Sequence, residues 1–182
     1  MKEIRQYHTA TLLPNGKVLI TGGISSSGTT ATAICEIFDP ARETWNIAAS
    51  LSNARALHFA TLLNDGRVFV AGGEKSAASP LNSCEIYDPI SNQWTTSTSF
   101  FNQFLARAVK LSDGRILAIT DPLNGDTRQT EIFDPIMGKW GIKTSFPSMR
   151  LPFPTTATLL PNGKVLVTNA GIECEIYRDQ SM

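Results

Sequence analysis

A repeat of about 49 residues constrains the fold of this chain more than any other feature. The segment from Arg5 to Gly23 reads RQYHTATLLPNGKVLITGG, and it returns from Arg55 to Gly73 as RALHFATLLNDGRVFVAGG. Four glycines that mark the unit, Gly16, Gly66, Gly114 and Gly163, are 50, 48 and 49 residues apart. A unit of this size cannot bury its own faces, so neighbouring units must cover one another. The sequence therefore predicts a single domain over 1–182, with repeats at approximately 5–50, 51–99, 100–146 and 147–182.

Each repeat has the residue pattern of short β-strands. Apolar residues alternate or form short runs, and Gly, Pro, Asn or Asp interrupts them. This pattern is typical of all-β proteins and contains no helical period. Strands in the first repeat are predicted at about Tyr7–Leu13, Lys17–Thr21 and Cys35–Phe38, with a fourth beginning near Trp45. Asn15-Gly16 is a hairpin signal, and Asp39-Pro40 ends a strand because proline cannot donate to the ladder. Four antiparallel strands in each unit make one propeller blade.

The recurring motifs resemble kelch repeats. They are Leu-Leu before an Asn/Asp-Gly turn, a strand closed by Gly-Gly, Glu-Ile-(Phe/Tyr)-Asp-Pro, and a Trp five residues after that Pro. The resemblance covers almost the whole chain, and the blades also resemble those of the galactose oxidase central domain. It implies an all-β kelch-type β-propeller of four-stranded antiparallel blades, with the first strand of each blade along the central channel and the fourth on the rim. The last repeat has no Pro or Trp after Tyr177, so we expect it to lack its outer strand.

The sequence predicts three full blades and a fourth that lacks one strand. It does not determine how these blades close into a ring. The chain could form a tight four-bladed ring, pair with a second copy in an eight-bladed ring, or belong to a longer propeller. A two-fold axis would bury both open faces symmetrically. We therefore favour a homodimer over the other two arrangements.

Composition and charge exclude several classes of function. Sixteen basic and sixteen acidic residues give zero net charge, whereas nucleic-acid binding needs a clustered basic face. No apolar run approaches the roughly 18 residues of a membrane span. The first residues contain no signal-peptide core, so we expect a cytoplasmic protein unless a leader has been removed. Cys35, Cys84 and Cys174 occupy the same place in three repeats, too far apart for a disulfide, and should be free thiols.

One short motif suggests a metal. Tyr7-His8 resembles the Tyr-His copper-ligand pair of galactose oxidase, which implies Tyr7 and His8 as copper ligands, with His58 as the only other histidine. The remaining ligands of that enzyme have no counterpart here, because Leu57 precedes His58 and every cysteine lies on a third strand. No nucleophile elbow, phosphate loop or zinc-protease motif occurs. We therefore expect no cofactor and no catalysis.

The family resemblance implies a non-catalytic module that binds a protein or peptide through loops between strands. Candidate loops are Ile24–Ala33, Glu74–Ser83 and Ser145–Pro154. Candidate binding residues are Arg5, Arg55, Arg150 and Phe153. For the arginines, the alternative is a structural salt bridge to the glutamates that recur on the third strand, Glu36, Glu85, Glu131 and Glu175. The alternative function is a propeller of the galactose oxidase type that binds or oxidises a carbohydrate.

Overall fold

The described chain consists of strands, turns and irregular connections. The computed structural model describes residues 1–26, 28–77, 79–101, 104–121, 129–145, 155–169 and 174–177, and none of these is helical. The chain divides into two compact units, Met1–Ser99 and Phe100–Met182. The division falls at the end of the second predicted repeat, and the single domain over 1–182 stays a prediction.

The first unit contains ten strands. They are β1 (Arg5–Gln6), β2 (Thr9–Leu12), β3 (Val18–Thr21), β4 (Ile24–Ser25), β5 (Cys35–Asp39), β6 (Thr44–Ala48), β7 (Phe59–Leu62), β8 (Val68–Ala71), β9 (Cys84–Asp88) and β10 (Gln93–Ser97). The second unit contains β11 (Phe104–Lys110), β12 (Ile116–Asp121), β13 (Gln129–Asp134), β14 (Lys139–Ser145), β15 (Thr155–Leu159), β16 (Val165–Asn169) and β17 (Cys174–Tyr177).

Each repeat forms one antiparallel sheet whose strands follow in chain order. The sheet orders are β2-β3-β5-β6, β7-β8-β9-β10, β11-β12-β13-β14 and β15-β16-β17. Asn15-Gly16 and its equivalents make the tight turns between the first two strands, where Gly16 adopts φ +79°. The predicted all-β fold of kelch-type blades is confirmed, and the fourth sheet has three strands among the described residues.

The first strand of repeat one begins later than predicted. Tyr7 has φ +59°, a left-handed conformation that a strand cannot contain, so β2 starts at Thr9. The residues before it form a separate two-stranded sheet instead, in which β1 pairs with β4. The sequence pattern gave no sign of this small sheet.

Apolar residues at the interface of neighbouring sheets form the core of each unit. In the first unit the core consists of Leu13, Leu19, Cys35, Ala48, Leu51, Val68, Val70 and Tyr87. In the second it consists of Leu111, Leu117, Ile119, Ile132, Val165 and Val167. Full burial of one such side chain stabilises the fold by about 1.5–3 kcal/mol. Packing between sheets is therefore the main source of stability.

The three cysteines are free thiols on the third strands of their sheets. Cys35 and Cys84 are buried, and Cys174 is exposed. Burial raises the pKa of the Cys35 thiol to about 12. That thiol stays protonated at neutral pH and is a packing residue, not a nucleophile.

Candidate functional site

Two buried arginines hold the segments that lead into β2 and β7. Arg5 Nη2 donates to Glu36 Oε2 at 2.7 Å, and Arg5 Nη1 donates to the Ile34 carbonyl at 2.7 Å. Arg55 Nη2 donates to Glu85 Oε1 at 2.8 Å in the same way. All four charged side chains are at most 1% exposed. These contacts are those of the structural salt bridge named above as the alternative.

The glutamates at this position in the first three repeats also accept hydrogen bonds from backbone N–H groups. Glu85 accepts hydrogen bonds from the backbone N–H of Ser52 at 2.7 Å and of Asn53 at 3.2 Å. In the neighbouring repeats, Glu36 accepts from the backbone of Lys2 and Glu131 from that of Phe101. The recurrence of this glutamate on the third strand therefore has a structural cause.

The predicted binding residues are placed differently from one another. Arg5 and Arg55 offer no side-chain surface to solvent, so their guanidinium groups lie behind the surface that a ligand would touch. Arg150 and Phe153 lie outside the described residues, as does most of the loop that contains them. Direct ligand binding by these four residues stays a prediction.

A buried histidine of the second repeat contacts two threonines of the first. His58 Nε2 lies 2.8 Å from Thr9 Oγ1 and 2.9 Å from Thr21 Oγ1, and the two threonine hydroxyls are 2.6 Å apart. Burial, followed by the charges of Arg55 and His8, lowers the pKa of His58 to about 3. At neutral pH His58 therefore links the two repeats as an uncharged hydrogen-bonding residue.

This histidine should make stability depend on pH. The unfolded chain takes up a proton at His58 near its usual pKa of 6.5, whereas the folded chain does so only near 3. The free energy of unfolding should thus be fully retained above pH 6.5 and fall as the pH drops, because the unfolded state binds more protons in this window. Urea unfolding between pH 7 and about 5.5, above the range where ordinary carboxyl groups titrate, measures the slope.

The matched variant is His58→Gln, whose amide can contact the threonine hydroxyls but does not titrate. We expect a clearly smaller loss of stability between the two pH values than in the unmodified chain. Equal losses in the two proteins would show that His58 is not responsible.

The copper ligands implied by the resemblance do not form a copper site here. His58 Nε2 is already hydrogen-bonded to two hydroxyls, and the Nδ1 atoms of His8 and His58 are buried without a hydrogen-bond partner. Among the described residues, no group of three or more His, Cys, Asp or Glu side chains could hold a metal ion. Tyr7 and the two histidines do not supply the donors that copper needs.

Two exposed apolar side chains lie on strained backbone, each directly before one of the two histidines in the chain. Tyr7 and Leu57 occupy the same position in repeats one and two, with φ of +59° and +57°. Their side chains are 51% and 57% exposed, and Leu57 N–H donates to the Tyr7 carbonyl at 3.0 Å. A left-handed residue other than glycine costs about 1–2 kcal/mol. The fold thus maintains two unfavourable features at once, strain and an exposed apolar surface. We call these two residues the apolar pair.

The doublet Gly22-Gly23 follows β3. It lets the backbone segments next to Tyr7 and Leu57 approach closely. Gly23 N–H donates to the Arg55 carbonyl at 2.9 Å. A Cβ atom on Gly23 would lie 2.8 Å from the Gln6 carbonyl oxygen and 3.0 Å from His8 Cβ. On Gly22 it would overlap the Arg55 carbonyl oxygen. No side chain fits between these backbones, which explains the doublet.

Two of the three predicted binding loops are joined by backbone hydrogen bonds. In the first loop, Ala31 N–H donates to the Lys75 carbonyl of the second loop at 2.9 Å. Glu74 exchanges two backbone hydrogen bonds with Ala56, beside the apolar pair. The described parts of both loops, which we call the rim, are therefore joined to each other and to residues next to Tyr7 and Leu57.

A groove of about 430 Å³ lies at the turns of the first two sheets. Its walls include Pro14, Pro89 and the highly exposed Ile90. The charged groups near it are already engaged, since Asp65 pairs with Arg67 at 2.6 Å. The groove thus offers less to a specific ligand than the apolar pair does.

The apolar pair was not identified from the sequence. The sequence indicates Tyr7 only as a metal ligand, and Leu57 only as a departure from the Tyr-His motif. The available signal was a large apolar residue at the same point of both repeats, directly before a histidine. Its exposure and strain become visible only in the structure.

Comparison with known proteins identifies the repeat. Residues 55–100 match the family model of the Kelch motif, and this range contains the whole second sheet. No curated protein matches the chain. Across the described ranges, there is no helix with the length and apolar character needed to span a membrane. The second repeat thus carries a kelch motif, and antiparallel sheets with the strand order of propeller blades form in all four repeats, which is consistent with a kelch-repeat family.

Proposed function

We propose that this chain is a non-catalytic interaction module that binds a peptide segment of a partner protein through Tyr7 and Leu57. Kelch repeats commonly mediate protein interactions, and this chain carries such a repeat. One observation supports the location most directly: adjacent repeats hold two large apolar side chains in solvent by strained backbone. Strain of this kind persists only where the surroundings enforce it, and it clusters at binding sites.

The chemistry of the surface indicates the ligand. A tyrosine ring and a leucine side chain on backbones that are joined by a hydrogen bond offer an apolar contact with one polar tip, as at the centres of protein interfaces. The surrounding rim is rich in hydroxyl groups, with Thr29 and Thr30 exposed on the first loop. We therefore expect a peptide that inserts an apolar or aromatic side chain over the pair and hydrogen-bonds to the rim.

The groups behind the surface support binding without catalysis. His58 is held neutral by burial, which lowers its pKa to about 3. Arg5 and Arg55 are fixed in ion pairs. A rigid, preorganised set of buried residues behind the surface reduces the entropy that is lost when a ligand binds. The free thiols of the described strands favour a reducing compartment such as the cytoplasm, which we propose as its location.

The proposal can be tested by selection from a random-peptide phage library on the purified chain. Selected peptides should share an apolar or aromatic residue. Their affinity should fall by about tenfold or more for the Tyr7→Gly/Leu57→Gly variant, since loss of an interface anchor costs at least 1–2 kcal/mol. Ile90→Ser, which removes a highly exposed isoleucine at another turn, is the matched control and should bind normally.

Two results would contradict the proposal: selection that enriches no peptide, or peptides that bind the glycine variant as tightly as the unmodified chain. One observation favours the carbohydrate alternative, namely the half-exposed Tyr7 ring, because aromatic rings stack on sugars. A glycan array probed with the single variants separates the two functions. Sugar binding that is lost with Tyr7→Gly but kept with Leu57→Gly would support the carbohydrate alternative.

A further inference from the structure

The turn between the third and fourth strands of the sheet has the same shape in the first two repeats. Asp39 ends β5 and Asp88 ends β9, and each accepts a hydrogen bond from the backbone N–H two positions later, at 3.1 Å and 2.8 Å. Glu43 and Asn92, which stand at the same point of the two turns, have φ of +54° and +53°. The two aspartates and their surroundings can therefore be compared residue by residue.

In the first repeat this aspartate is paired with two cations. Asp39 Oδ2 lies 3.1 Å from Lys17 Nζ and 3.1 Å from Arg42 Nη1. The side chain of Arg42 is mostly exposed. The first turn thus shows that an arginine at the surface can pair with a carboxylate in this position.

In the second repeat a neutral side chain replaces this arginine. Ser91 stands at the position of Arg42, and its hydroxyl donates to Asp88 Oδ2 at 3.0 Å. The hydrogen bond from the Ile90 N–H, followed by that from Ser91, holds the pKa of Asp88 below its usual range. The carboxylate is therefore ionised at neutral pH, and the donors that engage it are neutral.

The second cation of the first repeat also has no equivalent contact here. Arg67 corresponds to Lys17, but its guanidinium group pairs with Asp65 at 2.6 Å. The first repeat has the neutral Asn15 at that point, which leaves Lys17 without such a competitor. Among the described residues, no lysine or arginine forms an ion pair with Asp88. A carboxylate has about four acceptor sites, so Asp88 can accept further donors.

Asp88 lines the groove of about 430 Å³ at the turns of the first two sheets. The apolar part of the wall includes Pro14, Pro89 and Ile90, and the Ile90 side chain is 96% exposed. The other two charged lining residues pair with each other, so the groove keeps a net negative charge. All of its lining residues belong to the first compact unit.

We propose that this groove binds an arginine-containing segment of a partner protein. The guanidinium group pairs with Asp88, and an apolar side chain beside the arginine packs on Pro14, Pro89 and Ile90. The first repeat supplies the arginine from its own turn, whereas the ligand supplies it in the second. Arginine suits this groove better than lysine, because its planar guanidinium group binds a carboxylate through two parallel hydrogen bonds and is less strongly hydrated.

The groove and the apolar pair are separate surfaces. Tyr7 and Leu57 precede β2 and β7, whereas the groove is formed by the turns that follow these strands. The groove offers fewer contacts than the apolar pair, but its uncompensated carboxylate selects for charge. Binding here does not depend on the function proposed for the apolar pair.

The test uses capped pentapeptides with a central arginine between Leu, Phe, Trp or Pro residues, and a matched set with glutamine in place of the arginine. Binding is followed by NMR through the backbone amide signals of the isotope-labelled full chain. The arginine peptides should shift the signals of Gly66 and Ile90 to saturation and leave that of Leu57 unchanged. The glutamine peptides should bind about fivefold more weakly, as expected for loss of one solvent-exposed ion pair.

Two variants should abolish the preference for arginine by different routes. Asp88→Asn removes the charge, and Ser91→Arg restores the arginine of the first repeat, so that the chain neutralises its own carboxylate. Each should bind the two peptide sets about equally. Asp134→Asn changes the same position in the third repeat, where Arg115 and Lys139 line the adjoining pocket, and this control should keep the preference. Circular dichroism checks that every variant is folded.

Three results would overturn the proposal. One is the absence of saturable shifts at Gly66 and Ile90 with every arginine peptide up to millimolar concentration. Another is equal affinity of the unmodified chain for the arginine and glutamine peptides. The last is a preference for arginine that survives in both Asp88→Asn and Ser91→Arg. None of these results concerns binding at Tyr7 and Leu57, which the phage selection tests separately.

Discussion

Replacing Arg55 with alanine should lower the free energy of unfolding by about 3–5 kcal/mol, because the change leaves a charge buried without its partner. Glu85 would lose the guanidinium group that now lies 2.8 Å away, and its side chain is fully buried. The carbonyl groups of Gly72 and Ser83, which now accept hydrogen bonds from Arg55 Nη1, would lose this donor as well. Urea denaturation of the purified variant measures the loss.

Arg42→Ala is the matched control for this prediction. Arg42 also pairs with a carboxylate, Asp39 Oδ2 at 3.1 Å, but its side chain is 75% exposed. Exposed pairs of this kind contribute about 0–1 kcal/mol, so the variant should be nearly as stable as the unmodified chain. If Arg55→Ala cost no more than Arg42→Ala, the buried pair would not be what holds the blade entrance in place.

Replacing Gly22 with alanine should cost about 3 kcal/mol, since two independent penalties combine. Gly22 has φ +59°, and the new Cβ would overlap the Arg55 carbonyl oxygen and lie 3.0 Å from His58 Cε1. The first atom belongs to backbone that is held by the buried ion pair, so it cannot move aside cheaply. Thermal or urea unfolding of the variant measures the cost.

Two other glycines separate the penalties. Gly16 has φ +79° but nothing within 4 Å of an added Cβ, so Gly16→Ala should cost only about 1 kcal/mol. Gly141 has neither a left-handed φ nor a close neighbour, and its replacement should be within about 0.5 kcal/mol of neutral. Equal effects at Gly22 and Gly16 would mean that the close approach of the two backbones does not depend on glycine.

The repeat pattern predicts the sheets well because strands and turns are local features. Asn15-Gly16 and Asp39-Pro40 mark chain reversals through their own backbone preferences, and the strands lie between them as expected. The predicted third strand, from Cys35 to Phe38, differs from β5 by only one residue.

The candidate site was harder to predict because it depends on contacts between distant residues. The burial of Arg55 follows from its pairing with Glu85, 30 positions away. The left-handed Tyr7 depends on a backbone contact with Leu57 in the next repeat. A sequence pattern shows which residues recur, but whether a recurring residue faces a core or solvent depends on what packs beside it.

The most direct test of the account is the free energy of unfolding of the Tyr7→Gly/Leu57→Gly variant. If these side chains are kept for binding, their removal should leave the fold intact and stabilise it by about 1 kcal/mol for each site, because glycine relieves the left-handed strain. A clear loss of stability would contradict the account. It would show that the two exposed side chains support the fold itself and not a surface for a partner.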